Sequence, residues 1–184
     1  APIVGQVWYN TTSGTMKGQI QAAGAWSSAP AINTGRRSLA STGTTIAAVI
    51  AGGIGGTTAT ETYNGSAWTT SPAVLGTGRQ YFKGDGSSTA AIVAGGYAPT
   101  ASPEAVALVE TFNGSTWTEA TALTTAREKP GNSTLGSTTA SLVFGGVGPS
   151  PPSAVLDATE TYNGTGWTTE TALTQARSGM GGAG

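Results

Sequence analysis

Thr60-Glu61-Thr62-Tyr63-Asn64-Gly65-Ser66-Ala67-Trp68-Thr69 recurs as Val109-Glu110-Thr111-Phe112-Asn113-Gly114-Ser115-Thr116-Trp117-Thr118, and again as Thr159-Glu160-Thr161-Tyr162-Asn163-Gly164-Thr165-Gly166-Trp167-Thr168. Trp68 to Trp117 is 49 residues and Trp117 to Trp167 is 50. A self-similar period of that length is the signature of a repeat architecture. Ten or eleven residues after each Trp stands an Arg, namely Arg79, Arg127 and Arg177. Trp26 and Arg36 share the offset, so a degenerate fourth copy lies at the N-terminus. Each complete copy also carries a short apolar run closed by a Gly doublet: Gly52-Gly53, Gly95-Gly96 and Gly145-Gly146. Three markers in one order make chance a poor explanation.

Working outward from Trp117, the unit reads as four strands. Residues 79–82 lead into a Gly/Ser turn at 84–88, residues 89–94 form an apolar strand, and residues 108–112 form a third. Asn113-Gly114 then turns the chain into a fourth strand around Trp117. Asn-Gly between β-favouring residues predicts a type I′ hairpin, in which both central positions need positive φ. No segment keeps a helical period. The strands are Ala- and Thr-rich on both faces, which suits sheets covered on both sides by other sheets.

Composition removes whole classes of function. The chain has 184 residues, 29 Gly, no Cys, no His, only 9% charged residues and a formal charge of −1. Without Cys or His there is no disulfide, no thiol nucleophile, and neither the commonest general base nor the commonest metal ligand. No catalytic group, metal site or cofactor is therefore expected. Eight scattered Lys and Arg lack the footprint that nucleic acid demands. The longest apolar run, Ile46 to Ala51, is far short of the roughly 20 residues that span a bilayer, and the chain reads as soluble, with no membrane insertion.

Four-stranded units at this period imply an all-β propeller. Arg at the repeat start, the Gly doublet, then Tyr or Phe with Trp five residues on resembles the kelch repeat family, over nearly the whole chain. The resemblance implies a kelch-like β-propeller, and the leftover segments at the two ends, three strands plus one, predict four blades in a single domain over 1–184. Its blades would be 36–78, 79–126, 127–176, and a composite of 1–35 with 177–184. In the composite blade three N-terminal strands (Gly5 to Thr11, Thr15 to Ala22 after a Ser13-Gly14 turn, and Ala25 to Pro30 with Trp26) are completed by the C-terminal strand. The competing arrangement is a longer propeller cut in mid-blade.

Within this frame Trp26, Trp68, Trp117 and Trp167 read as blade-to-blade core, and the repeat-equivalent Arg36, Arg79, Arg127 and Arg177 and Glu61, Glu110 and Glu160 as a structural Arg–carboxylate or Arg–backbone contact built once per blade rather than a ring of charge around a ligand. The sequons at Asn64, Asn113 and Asn163 are explained by turn chemistry. Asn-Gly-Ser-Thr-Trp is also similar to the Asp-box turn of sialidases, but no Arg, Tyr and acid cluster accompanies it. Loops between the second and third strands vary most, being short at 54–59 and long at 97–107 and 147–158. Loops on a rigid scaffold carry binding function, and Tyr97, Glu104 and Asp157 are the ligand-binding candidates. Tyr81-Phe82-Lys83-Gly84-Asp85 is a local oddity, either a second contact patch or local core.

Gly5-Gln6-Val7-Trp8-Tyr9-Asn10-Thr11-Thr12-Ser13-Gly14-Thr15-Met16-Lys17 resembles a hairpin widespread in bacteriophage tail-fibre and virion appendage proteins. That likeness implies a propeller on the virion exterior, in multiple copies beside other virion proteins, recognising a host-surface glycan or protein. The alternative is a purely structural capsid or tail decoration protein without an external ligand.

Overall fold

A computed structural model of the chain describes residues 7–10, 12, 15–18, 28–149 and 153–182. The architecture is all-β, and among the described residues there is no helix. Strands β1 (Val7–Asn10) and β2 (Thr15–Gly18) form an antiparallel hairpin. Three four-stranded antiparallel meanders follow. The first comprises β3 (Ala40–Thr44), β4 (Ala47–Ala51), β5 (Thr60–Tyr63) and β6 (Trp68–Ser71). The second comprises β7 (Lys83–Gly86), β8 (Ala91–Ala94), β9 (Val109–Phe112) and β10 (Trp117–Ala120). The third comprises β11 (Gly131–Asn132), β12 (Ser141–Phe144), β13 (Thr159–Tyr162) and β14 (Trp167–Glu170). The Ser13-Gly14 turn and Trp26 lie outside the described residues, and Ser28 to Pro30, expected to end a strand, are not in one.

Two local expectations are corrected. The first strand of the second sheet is Lys83–Gly86, not 79–82, and the turn falls at Ser87 to Ala90, closed by the Ser87 N–H donating to the Ala90 carbonyl at 2.9 Å. Glycine there serves close approach: a Cβ on Gly84 would meet Val93 Cγ1 at 3.3 Å, and one on Gly86, at φ 105°, would meet the Ala90 carbonyl oxygen at 2.2 Å. The Asn-Gly turns are not type I′ either. Only the Gly is left-handed (φ 92° at Gly65 and Gly114, 94° at Gly164), while the preceding Asn is not. Asparagine is used for its side chain instead. Asn113 Oδ1 accepts the N–H groups of Ser115 at 2.9 Å and Thr116 at 2.8 Å, and Asn64 and Asn163 repeat the pattern. Such local side-chain to backbone bonds fold a turn without two positive φ angles.

The register sets each repeat aromatic directly opposite its Trp: Tyr63 on Trp68, Phe112 on Trp117 and Tyr162 on Trp167, with ring centroids 5.1, 4.9 and 5.1 Å apart. The indole N–H then reaches the preceding sheet. Trp117 Nε1 donates to Thr60 Oγ1 at 3.0 Å and Trp167 Nε1 to the Thr121 carbonyl at 3.1 Å, so apolar area is buried with its one donor satisfied.

Strand β8 shows why no alternation of apolar and polar residues marks these strands. All four of its residues are buried. Ile92 and Ala94 pack with Val109, Leu123, Val143, Tyr162 and Trp167 toward the third sheet. Val93 packs with Ala40, Ala51, Leu75 and Phe82, and Ala91 with Val49 and Ala73, toward the first. The second sheet is thus apolar on both faces because a sheet covers each one. First strands also meet across sheets: β7 lies against both β3 and β11, with Thr42 Oγ1 donating to the Gly86 carbonyl at 2.5 Å and Asn132 Nδ2 to the Gly84 carbonyl at 3.0 Å.

Candidate functional site

The repeat arginines are locked. Arg127 Nη2 donates to Glu160 Oε1 at 2.5 Å, Nη1 to the Ala158 and Gly145 carbonyls at 2.7 and 2.9 Å, and Nε to the Thr125 carbonyl at 3.2 Å. Glu160 also accepts the N–H groups of Thr124 and Thr125 at 2.7 and 3.2 Å. Arg79 pairs with Glu110 at 2.5 Å, and Arg36 pairs with Glu61. Burial lowers the pKa of the Arg79 and Arg127 guanidinium groups against the opposing pull of Glu110 and Glu160. These charges are spent within the fold, and none faces a ligand. Burial raises the Glu61 carboxyl, but the N–H of Asn33, the Arg36 guanidinium and the N–H of Thr34 outweigh it, and its net pKa is lowered.

Arg177 is the exception. It is exposed, and among the described residues no carboxylate pairs with it. Its backbone nevertheless docks as the others do. Gly146 N–H donates to the Arg177 carbonyl at 2.7 Å, matching Gly53 to Arg79 at 3.0 Å and Gly96 to Arg127 at 2.8 Å. This approach explains the Gly doublets. A Cβ on Gly52, Gly95 or Gly145 would sit 2.5 to 2.6 Å from the carbonyl oxygen of the next Arg.

Two residues after each Arg the backbone turns left-handed: Ser38 at φ 60°, Tyr81 at 58°, Lys129 at 53° and Gly179 at 67°. A non-glycine residue there costs on the order of 1 kcal/mol, and three equivalent residues accept it. The turn aims each N–H at the previous copy. Tyr81 donates to Ser38 O at 2.8 Å, Lys129 to Tyr81 O at 2.7 Å and Gly179 to Lys129 O at 2.9 Å. These four residues, with the four that follow them (Leu39, Phe82, Pro130 and Met180), border one cavity of about 150 Å³. Lys129 Nζ lies 4.8 Å from the Tyr81 ring centroid and 3.4 Å from Glu128 Oε1.

A second cavity of about 400 Å³ adjoins the first through Leu39 and Lys83. Its wall takes a piece from each copy: strand β3, Lys83 and Gly84 of β7, Asn132 and Thr134 after it, and Gly182. A Cβ on Gly182 would come within 2.4 Å of the Asn132 carbonyl oxygen.

The residues singled out from sequence are not gathered into one site. Tyr97 is half-buried, and its backbone exchanges hydrogen bonds with Gln80 at 2.7 and 2.9 Å. Glu104 is half-buried and Asp157 exposed, each using its carbonyl to accept a backbone N–H, from Ala98 and Leu173 respectively. No hydrogen bond or ion pair among the described residues joins these three side chains. The 81–85 segment divides: Phe82 and Asp85 are buried, while Tyr81 and Lys83 face the cavities. Sequence reasoning passed over Ser38, Lys129 and the cavity role of Lys83, although their offset from the repeat Arg was a usable signal.

Asp85 joins the second sheet to the third. Ser141 Oγ donates to its carboxylate, as do Ser133 Oγ at 2.9 Å and Asn132 Nδ2 at 2.9 Å. Burial pushes its pKa up, and the bonds from Ser141, Ser133, Asn132 and the Gly136 N–H pull it down without overcoming that. A folded-state pKa above the unfolded one stabilises the fold below the unfolded value, and that contribution is lost as pH rises through the folded value. Asp85→Asn removes this titration, so its stability should fall less than that of the wild type between acid and neutral pH. Urea midpoints across that range check this; parallel curves would refute it.

No family model matches the chain. No curated protein matches it either.

Proposed function

We propose that the chain closes into a four-bladed propeller and serves as a non-catalytic recognition module of a bacteriophage virion appendage. One observation carries the architecture: each of two adjoining cavities is bordered by a segment from each of four equivalent copies. The composite blade is supported by the docking of residues 177–179 on the third copy through the same backbone bonds that Arg79 and Arg127 make one copy earlier. The virion assignment rests on the WYNTTSGT-type hairpin, whose β1 and β2 pair in register from Val7 with Gly18 to Asn10 with Thr15.

The long loops suit recognition because backbone hydrogen bonds brace their described residues. Ala98 N–H donates to Glu104 O at 2.7 Å and Val106 N–H to Gly96 O at 2.9 Å. In the other long loop Gly148 N–H donates to Ala154 O at 2.8 Å. Preordering spares the entropy of fixing a loop on binding, and many copies on one particle raise weak affinity. Binding of the purified chain to host cells and to a glycan array tests the reading. Tyr97→Ala is expected to weaken binding by about ten-fold, the size of a peripheral aromatic contact, with melting temperature nearly unchanged. Unaltered binding removes Tyr97 from the site. A loop face covered by neighbouring chains in the intact particle favours the decoration protein instead.

A further inference from the structure

We infer that the 400 Å³ cavity is a binding site for a carboxylate-bearing sugar, with Lys83 as the residue that meets the carboxylate. This deepens the glycan-recognition reading and rests on it, but places the contact away from the long loops.

The charge inventory comes first. Of the chain's eight cations, Arg36, Arg79 and Arg127 are sealed into carboxylate pairs. Among the described residues the Lys83 ammonium has no ion pair or hydrogen bond, not even with Asp85, whose carboxylate is engaged by the third sheet. Among the described residues it is the one charged side chain bordering the larger cavity, and the smaller cavity beside it adds Lys129 but no carboxylate. An uncompensated ammonium in a concave site favours an anion.

The neutral part of the wall sets the rest of the ligand. Ser41, Thr42, Thr44 and Thr134 supply hydroxyls, and Asn132 an amide. Asn132 Nδ2 is already donated to Gly84 O, Asp85 Oδ1 and Ser133 O, so its Oδ1 is left to accept. Ser41 Oγ makes no hydrogen bond among the described residues, and Ser41 is exposed. Among the described residues no aromatic ring lines this cavity, and the largest apolar side chain is Leu39. A wall of paired donors and acceptors with little apolar area matches a polyhydroxylated ring better than an acidic peptide, whose neighbouring side chains would need apolar pockets. The volume lies within the range of small-ligand clefts, about 300–1,000 Å³.

The test titrates the full chain with glucuronic acid, glucose, acetate and a capped Glu-Glu peptide, followed through backbone amide shifts. Glucuronate is expected to shift residues 41–44 and 132–134 and to bind at least about ten-fold tighter than glucose or acetate, as one charge-assisted bond requires. Lys83→Gln should lose about that factor and Lys83→Arg should retain most of it. Should Lys83→Gln fail to fold, Ser41→Ala replaces it, with a few-fold loss expected. Equal binding of glucose, unaltered binding by the folded variants, or tighter binding of the peptide overturns the inference. Such a result leaves the loop-face reading standing, because that is judged by Tyr97→Ala on cells.

Discussion

Arg127→Met is expected to lower stability by about 3–5 kcal/mol, the range for breaking a buried ion pair from one side. Neither side chain of the Arg127–Glu160 pair is exposed at all, so the surviving Glu160 would have no water to turn to. The loss has several parts. The Ala158, Gly145 and Thr125 carbonyls each lose a donor, and Glu160 keeps only the N–H groups of Thr124 and Thr125. The double variant Arg127→Met with Glu160→Leu should regain much of the deficit, because well-packed apolar substitutes are often neutral for such pairs. Arg79→Met should cost less than Arg127→Met, since Arg79 Nε and Nη2 are already buried without partners. Chemical denaturation of the three variants reads all of this. A loss under about 1 kcal/mol for Arg127→Met, the value of an exposed pair, would mean that the lock is not closed in solution.

Phe82→Ala is the second large effect, at about 3–5 kcal/mol for truncating a buried Phe. Phe82 is 1% exposed and sits with Ala40, Ala51, Leu75, Val93 and Trp117, residues of two sheets. Its ring also lies where a Cβ on Gly52 would be, 2.6 Å from Cζ. The surrounding residues are mostly small and fixed in strands, so they have little freedom to collapse into the void. Thermal unfolding should show the loss as a lower midpoint. A fall as small as that for Tyr97→Ala would place Phe82 outside the core.

The repeat was legible because its markers are each tied to one physical need. Trp and its facing aromatic fill the space between sheets, Arg and Glu neutralise each other, and Gly-Gly admits the next carbonyl. Strand edges were less legible. Lys83-Gly84-Asp85-Gly86 looks like a turn by composition, yet it is a strand: a Cβ on Gly84 or Gly86 would crowd its partner β8 and the turn between them, and Asp85 finds four donors in the third sheet and the loop beside it. Local propensity yields to tertiary contact there. The Asn-Gly turns were located correctly and typed wrongly, since Asn offers both tolerance of positive φ and a side-chain acceptor, and sequence does not say which is used. The cavities were invisible for another reason: they are made of residues some forty to fifty positions apart, each unremarkable alone.

The proposed closure, in which the C-terminal segment pairs with the N-terminal hairpin to complete a fourth sheet, is measurable as a distance. The chain has no Cys, so spin labels go to Thr12→Cys, at an exposed position, and Gly181→Cys, where a Cβ meets nothing within 4 Å. Pulsed dipolar spectroscopy should give one narrow peak below about 25 Å, the reach of adjacent short strands plus two label arms, unchanged when labelled chain is diluted with unlabelled. A broad distribution extending well beyond that distance, or a peak that disappears on dilution, would contradict the closed four-bladed ring.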